Sequence, residues 1–369
     1  MRRLLLSLLA FFTFLSVKAI TPAYLGNIVS GIPATQAMAD SVKRVFRGLC
    51  VVNEKVIWIS GQRGLVGRST NGGKSFSWRR VSGYEKMDFR TLHAFDKKNA
   101  VIATAGTQCV ILRTEDGGKH WDHVYRNHDT LMFFDGAGFW DEKRGLIFGD
   151  PIKGRMFLME TLDGGKTWNE IPFEDRPQLV EGEAAFAASG TTIRTLPNGH
   201  VYIATGGVKS RLWHSRDYGH HWEVFETPII QGKSSQGIFS MAWRDSLSGV
   251  IVGGDYLKPN DTIGNCFFTH DGGQTWQEPI GNPRGYCSSI ENVTEDIYFT
   301  TGPFGCDLLF CTQSNLVNDS CYHFTRFMVD SNNGAKIDDQ GFNAVKILKY
   351  GWIVLCGGTQ VIKRWYLAL

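Results

Sequence analysis

The sequence predicts an all-β protein built from repeated four-stranded units, and two observations lead to that prediction. One short pattern, [ST]-x-[DN]-x-G-x-[STH]-[WF], occurs five times, with its third position at Asn71, Asp116, Asp163, Asp217 and Asp271. A regular spacing of this size indicates a repeat architecture. The composition agrees, because 42 glycines and 12% aromatic residues suit short strands joined by tight turns.

Each copy of the pattern is typical of the turn of a β-hairpin. The Asp or Asn side chain can accept hydrogen bonds from backbone N–H groups just ahead of it. The glycine two places later adopts positive φ at little cost. An aromatic ring then opens the next strand and covers the hairpin, and in four copies it is Trp121, Trp168, Trp222 or Trp276. We therefore assign these residues to the structure of the fold and not to a functional site.

The repeated pattern resembles the Asp-box, or BNR repeat, of β-propellers. Such repeats occur in sialidases, other glycan-cleaving propellers, sortilin-type receptors, and the photosystem II assembly factor and its bacterial relatives. The resemblance implies that each box joins the third and fourth strands of a blade. It also implies that the boxes lie on the rim away from the functional face.

The apolar runs between the boxes predict a seven-bladed β-propeller. Blade six has no box, since Thr312-Gln-Ser-Asn stands where its turn should be, and blade seven is one strand short. We expect residues 34–46 to supply that strand and to close the ring, because closure removes unpaired sheet edges. Six or eight blades remain compatible with the sequence.

Residues 1–19 predict a secretory signal peptide and residues 20–369 a single propeller domain. Arg2 and Arg3 precede an apolar run that ends at Leu15, and Val17-Lys-Ala19 offers small residues for cleavage. We therefore expect an exported protein, periplasmic or secreted, that does not span a membrane. The net charge of +3 argues against a nucleic-acid partner.

Eight cysteines are present, and none forms a C-x-x-C pair. Zinc and thioredoxin-type sites are therefore not indicated. In blade six, Cys311 and Cys321 flank the segment where other blades carry a box. Because export permits disulfides, we expect a Cys311–Cys321 bridge there, with a pairing through Cys306 or reduced thiols as alternatives.

The links between blades and the loops between second and third strands should meet at the face opposite the boxes. These segments carry carboxylates, arginines and tyrosines. The predicted ligand-binding residues are Arg90, Asp150, Arg155, Glu181, Glu183, Asp255, Tyr256, Arg284 and Tyr286. If the protein is an enzyme, the candidate catalytic residues are Asp150, Glu183, Asp255 and Tyr256.

Phrases along nearly the whole mature chain, among them FRGL, DFR, FGDP, EGEAAFAASGT and GGDY, resemble a group of exported bacterial BNR propellers related to the photosystem II assembly factor. This resemblance favours a binding or assembly protein that recognises a protein, peptide or glycan at a polar central mouth. No nucleotide, haem or flavin motif is present, so we expect no cofactor and no metal.

A glycoside hydrolase is the alternative, since two carboxylates beside a glycosidic bond would suffice for its chemistry. A sialidase would also need an arginine clamp, which Arg47, Arg90, Arg155 and Arg284 could supply, and a tyrosine nucleophile. Phe46-Arg47-Gly48-Leu49 lacks the Ile and Pro of the corresponding sialidase motif. The sequence therefore favours binding over catalysis.

Overall fold

Short strands joined by turns make up the protein, as the spacing of its glycine-rich turns predicts. The computed structural model describes residues 45–106, 108–128, 132–313, 320–326, 328–331, 334–337, 341–348, 352–356 and 362–366. Within these ranges the regular elements are β-strands and two 3₁₀ turns, Phe173–Asp175 and Pro197–Gly199. No helix in the same ranges has the length and apolar character needed to cross a membrane.

The first three sheets are antiparallel, with four strands each in chain order. The first contains β1 (Phe46–Val51), β2 (Ile57–Gly61), β3 (Leu65–Ser69) and β4 (Ser77–Arg80). The second contains β5 (Phe89–Ala94), β6 (Ala100–Thr104), β7 (Cys109–Thr114) and β8 (Asp122–Asn127). The third contains β9 (Phe134–Phe139), β10 (Gly145–Ile152), β11 (Arg155–Thr161) and β12 (Asn169–Glu170).

The next two sheets share the middle of the chain. Its strands are β13 (Glu183–Ala184), β14 (Ile193–Thr195), β15 (Val201–Ala204), β16 (Gly206–Gly207), β17 (Arg211–Ser215), β18 (Glu223–Glu226), β19 (Gln236–Trp243), β20 (Gly249–Asp255) and β21 (Cys266–Thr269). The fourth sheet has the order β14-β15-β17-β18, and the fifth has the order β13-β16-β19-β20-β21. The two short strands β13 and β16 thus tie the fourth repeat to the fifth.

The last part of the chain forms a complete sheet, a hairpin and a smaller sheet. The strands are β22 (Ser289–Thr294), β23 (Ile297–Gly302), β24 (Gly305–Gln313), β25 (Ser320–Arg326), β26 (Met328–Ser331), β27 (Gly334–Ile337), β28 (Ala344–Ile347), β29 (Trp352–Cys356) and β30 (Ile362–Tyr366). The sixth sheet is β22 to β25, the hairpin is β26–β27, and the smaller sheet is β28 to β30.

The sheets surround a central channel. Their innermost strands contact one another in the order β1, β5, β9, β14, β19, β22 and β28, and β28 contacts β1. The predicted all-β propeller is confirmed. The prediction of seven blades is wrong, because six sheets of four or five strands form complete blades and the C-terminal sheet has three described strands. Apolar runs alone could not show how many strands join each sheet.

The predicted ring closure by residues 34–46 falls mostly outside the described residues. Within them, Phe46 begins β1 and pairs with Gly61 of β2 in the first blade. The end of that segment therefore belongs to the first blade.

The apolar core lies between neighbouring blades. Trp58 of the first blade packs with Phe89 and Ile102 of the second, and Ile111 of the second packs with Ile147 and Trp168 of the third. Each blade therefore depends on its neighbours to bury its apolar face, which is the physical basis of a repeat fold.

The five boxes share one hydrogen-bond geometry, which is clearest in the third blade. The Asp163 Oδ1 atom accepts hydrogen bonds from the backbone N–H groups of Lys166 and Thr167, both at 2.9 Å, and Oδ2 accepts one from the Thr167 hydroxyl at 2.7 Å. The buried Thr161 hydroxyl accepts the Gly165 N–H at 2.8 Å. The Trp168 ring lies against Gly165, which has a φ of +79°.

Replacing Asp163 with alanine should lower the free energy of unfolding by roughly 1–3 kcal/mol, because two backbone N–H groups and the Thr167 hydroxyl lose their hydrogen bonds to a charged acceptor. Thermal and denaturant unfolding would measure the loss, with the exposed Asp122→Ala as control. Ligand binding should be unchanged. A variant that melts like the parent yet loses binding would show that the boxes belong to the functional face.

The backbone register does not support the predicted Cys311–Cys321 disulfide. Cys311 is a free cysteine, and it lies opposite Tyr322, whereas Cys321 lies opposite Thr312. The sequence placed both cysteines at the correct hairpin but could not fix their register, which differs from a directly opposed pair by one residue.

Candidate functional site

The innermost strand of each sheet begins at the end of the channel opposite the boxes. Four of these strands have a β-bulge near that end. Each bulge inserts one extra residue that has no partner in the ladder. In β1, β5, β9 and β19 this residue is Arg47, Arg90, Asp135 and Phe239, respectively. A bulge turns its side chain away from the regular alternation of the strand. Four blades thereby direct one side chain each into the channel.

Glycines on the second strands make room for three of these four bulges. A Cβ atom on Gly149 would lie 1.9 Å from the carbonyl oxygen of Phe133, and one on Gly61 would lie 2.2 Å from that of Val45. Gly253 is similarly close to the carbonyl oxygen of Gly237, at 1.9 Å. The close approach of the two backbones therefore requires glycine at these three positions, whereas Thr104 of β6 stands at the bulge of β5.

These bulge residues line a cavity of about 740 Å³ at the mouth of the channel, called the central cavity below. Ser288 and Asn343, which immediately precede β22 and β28, also line it. So do Asp150 at the end of β10 and Tyr256 after β20. Most blades therefore contribute to one cavity of mixed polar and apolar character.

One chain segment, residues 185–188, lines the central cavity, and its carbonyl groups accept hydrogen bonds from the two arginines of the cavity. Arg47 Nη1 donates to the Ala188 carbonyl at 2.9 Å, and Arg90 Nη1 donates to the Ala187 carbonyl at 3.4 Å. Arg90 Nε also donates to Asp88 at 2.8 Å. The guanidinium groups are thereby oriented at the cavity wall, a geometry suited to binding carboxylate or carbonyl oxygens.

Two carboxyl groups lie in the same cavity. Asp135 is 1% exposed, and neither of its carboxyl oxygens has a hydrogen-bond partner among the described residues. Asp150 accepts one long hydrogen bond, from the Ala185 N–H at 3.4 Å. Burial raises the pKa of Asp135 well above its usual value; the neighbouring charge of Asp150 raises it further, and that of Arg90 opposes the rise. Burial also raises the pKa of Asp150.

Aromatic rings form another wall of the central cavity. Phe186 stacks on Phe239 with ring centroids 3.9 Å apart, and the edge of Tyr286 meets Phe239 at 4.7 Å. Tyr256 completes this wall and is 46% exposed. The exposed Tyr256 ring favours contact with a bound partner, since an aromatic ring offers large apolar area with little loss of conformational freedom.

Of the nine predicted binding residues, four line the central cavity, namely Arg90, Asp150, Tyr256 and Tyr286. Glu183 does not. It is buried, and its carboxylate binds Arg211, Thr205, Trp213 and the Val180 N–H. It therefore anchors the link between the third and fourth blades. The predicted catalytic role for this residue has no support in that environment.

The other predicted residues also have structural partners or lie away from the cavity. Asp255 is 2% exposed and accepts hydrogen bonds from Gln236 and the Leu257 N–H. Arg155 donates to the carbonyls of Glu174 and Arg176. The remaining two are Arg284, which binds Asp307 and the carbonyls of Phe304 and Cys306, and Glu181, which is exposed.

Asp135, Phe239 and Asn343 were missed, although a sequence signal for them exists. Each cavity position follows a large buried residue and precedes a small one. The matching triplets are Phe46-Arg47-Gly48, Phe89-Arg90-Thr91, Phe134-Asp135-Gly136, Ile238-Phe239-Ser240 and Phe342-Asn343-Ala344. This second repeat lies at or just before the start of β1, β5, β9 and β28 and within β19, and it marks the end of the channel opposite the boxes.

A smaller chamber of about 260 Å³ continues the channel toward the boxes, and Arg90 lines both spaces. Its charges are already paired, since Glu291 accepts hydrogen bonds from Arg194 at 2.8 Å and from Lys346. Burial and the charge of Lys346 lower the pKa of His93 to about 4. Among the described residues, no group of three or more His, Cys, Asp or Glu side chains could hold a metal ion.

Comparison with known proteins agrees with this architecture. The BNR/Asp-box repeat family matches residues 267–278, which contain the fifth box. The photosystem II assembly lipoprotein Ycf48 of Synechococcus sp. (strain CC9902) is 26% identical over 232 residues, 62% of this chain and 60% of that protein. A xyloglucanase of Paenibacillus sp. is 25% identical over 213 residues, 48% of this chain and 20% of the enzyme. The chain thus spans less than two thirds of the length of either relative.

A solved structure described as YCF48 bound to D1 peptide is similar in fold, with a TM-score of 0.61 and 14% identity. The match covers 94% of this chain and 99% of that one. At such low identity the likeness shows the fold alone. Repeats, fold and sequence relatives together lead to one description: the chain is a β-propeller that carries a BNR/Asp-box repeat and is similar to a photosystem II assembly lipoprotein.

Proposed function

We propose that this chain is an exported binding protein that recognises an extended segment of a partner protein in the central cavity. The observation that carries the proposal is the convergence of bulge residues from separate blades on one cavity. Arginine donors, carboxyl groups and an aromatic wall meet there. A peptide offers carbonyl acceptors, N–H donors and side chains that match such a mixed lining.

Two further observations support the proposal. One similar structure is a photosystem II assembly factor described as bound to a peptide. One sequence relative is described as an assembly lipoprotein, which fits export of this chain by the signal peptide inferred for residues 1–19. The identity of the partner is left to experiment.

A glycan-cleaving enzyme is the second candidate, and the similarity to a xyloglucanase favours it. Of the three predicted catalytic carboxyls, only Asp150 lines the central cavity, so an acid–base pair would need Asp135 as its second member. Burial raises the pKa of both groups. A glycosidase needs one carboxyl group to be ionised while the other is protonated. With Asp150 ionised and Asp135 protonated the pair would meet this requirement, so release of reducing sugar from xyloglucan is the measurement that separates the two candidates.

Site-specific photo-crosslinking in the producing cell tests the proposal. A photoreactive residue at Leu257, which is 71% exposed beside the cavity, should crosslink a partner protein. The same residue at Leu162, 51% exposed in the third box, should not. Arg90→Ala should reduce capture at Leu257 at least severalfold, whereas Arg216→Ala on the box side should leave it unchanged.

Equal capture at both positions, or capture at Leu162 alone, would overturn the proposed binding face. Release of reducing sugar from xyloglucan by the purified protein, lost in Asp150→Asn, would favour the enzyme instead. Mapping the crosslinked peptide by mass spectrometry would identify the bound segment.

A further inference from the structure

We propose that Asp135 and Asp150 form a pocket within the central cavity that binds an ammonium group of the partner segment. This inference rests on the proposed function and specifies one of its contacts. The group would be a lysine side chain or a peptide N-terminus, two sources with the same chemistry. An ammonium is compact and has three donors, so it can bind two carboxyl groups at once.

The position of Asp135 is the first support. It is the bulge residue of β9, so its side chain points into the cavity and not into the apolar core between blades. Its flanking residue Phe134 is fully buried in that core. Asp135 is therefore left out of the strand pairing, and its carboxyl group lies at the cavity wall.

The lack of a partner is the second support. Buried polar groups in folded proteins nearly always have hydrogen-bond partners, and each exception calls for an explanation. Both oxygens of Asp135 lack a partner among the described residues, at 1% exposure. A ligand that supplies donors would explain this arrangement.

The nearby arginines do not fill that role. Arg90 donates from Nε to Asp88 and from Nη1 to the Ala187 carbonyl, and Arg47 donates to the Ala188 carbonyl. None of these hydrogen bonds reaches Asp135. Asp150 has a single long contact, with the Ala185 N–H. The two carboxyl groups therefore lie in one region of the cavity wall, and among the described residues they accept only one hydrogen bond in total, the long one from the Ala185 N–H.

The aromatic wall is the third support. Phe186 follows Ala185, the residue that contacts Asp150, and stacks with Phe239, while Tyr256 and Tyr286 lie beside them. The faces of aromatic rings attract cations, and this attraction increases where water is excluded. Carboxyl groups next to such rings favour an ammonium over a neutral or anionic group.

The charge state adds a measurable consequence. Asp135 faces Asp150 from β10, Arg90 from β5, and the other lining groups Arg47, Tyr256 and Tyr286. Burial and the charge of Asp150 raise the pKa of Asp135, so this carboxyl retains its proton in the empty cavity more readily than an exposed aspartate. Binding an ammonium favours the ionised form, and a proton should be released.

Selection from a phage-displayed library of random peptides on the purified protein tests the inference. Enriched peptides should carry lysine, and their synthetic forms should bind at least about tenfold more weakly when norleucine replaces that lysine, a loss of 1.4 kcal/mol. If acetylation of the N-terminus causes the loss instead, the N-terminal amine is the source. Calorimetry in two buffers of different ionisation enthalpy should show proton release on binding.

Asp135→Asn should remove both the preference for lysine over norleucine and the proton release, and Asp150→Asn should weaken them. The exposed Asp122→Asn is the matched control and should change neither. Thermal unfolding of each variant would establish that it is folded.

The outcomes separate this inference from the proposed function. Peptides that depend on Arg90 but bind equally well with norleucine and a blocked N-terminus would overturn the ammonium pocket and leave peptide binding intact. Failure to enrich any peptide, or enrichment that Arg90→Ala does not affect, would count against peptide recognition at the cavity, and with it against the ammonium pocket.

Discussion

Glu183→Gln should lower the free energy of unfolding by about 3–5 kcal/mol, the usual effect of removing one partner from a buried ion pair. The Glu183 side chain is 0% exposed and that of Arg211 is 11% exposed. Arg211 donates to both carboxylate oxygens, with the shortest contact at 2.5 Å, and its guanidinium lies 4.7 Å from the Trp213 ring centre. Glutamine keeps the shape but leaves the guanidinium without its counter-charge.

Denaturant unfolding of Glu183→Gln and Glu181→Gln would measure this effect. The control removes the same charge two residues away, at an exposed position, and should change stability by less than about 0.5 kcal/mol. Adding Arg211→Met to Glu183→Gln should recover part of the loss, because it removes the unpaired charge. Equal stability of the two single variants would refute the anchoring role of Glu183.

Asp135→Asn should have the opposite effect and stabilise the protein at neutral pH, by roughly 1–3 kcal/mol, because the amide has no proton to lose and each unit by which folding raises a carboxyl pKa costs about 1.4 kcal/mol. The carboxyl lies at 1% exposure without a hydrogen-bond partner among the described residues. Burial and the charge of Asp150 raise its pKa in the folded protein, while Arg90 opposes the rise. The parent therefore loses stability as pH rises above the ordinary aspartate range.

The sign of the pH dependence follows from proton binding. Above a pH of about 4, the unfolded chain releases the Asp135 proton while the folded protein retains it. The difference between Asp135→Asn and the parent should thus vanish near pH 4 and grow toward neutral pH. Thermal unfolding across this range would measure it. A variant less stable than the parent at pH 7 would show that the carboxylate has a stabilising partner.

The sequence predicted the all-β propeller architecture because five of the repeats carry a recognisable turn motif. Asp163 and Gly165 determine a hairpin through contacts within five residues, and such local chemistry is visible in a single sequence. The number of blades depends on which strands pair at a distance, and β13 and β16 join the fifth sheet from the preceding link. No local pattern reveals that pairing.

The site was predicted less completely, for a related reason. Glu183 and Asp150 both lie in polar phrases near the mouth, and the sequence gives no means to tell them apart. Their roles separate only in the fold, where Arg211 from β17 forms an ion pair with Glu183, whereas Asp150 has no ion pair with a described residue. Asp135 was missed because a lone acidic residue inside an apolar strand resembles an ordinary surface position.

The bulges of the inner strands have a consequence for how such a protein can change over time. A residue outside the ladder and outside the core between blades can be exchanged without repacking either, as long as the neighbouring strand keeps its close approach, which glycine allows at Gly61, Gly149 and Gly253. The four bulges carry three kinds of side chain: a cation at Arg47 and Arg90, an acid at Asp135 and an aromatic ring at Phe239. Substitutions at these positions could therefore redirect the protein to a new ligand one blade at a time, while the ring that presents them stays the same.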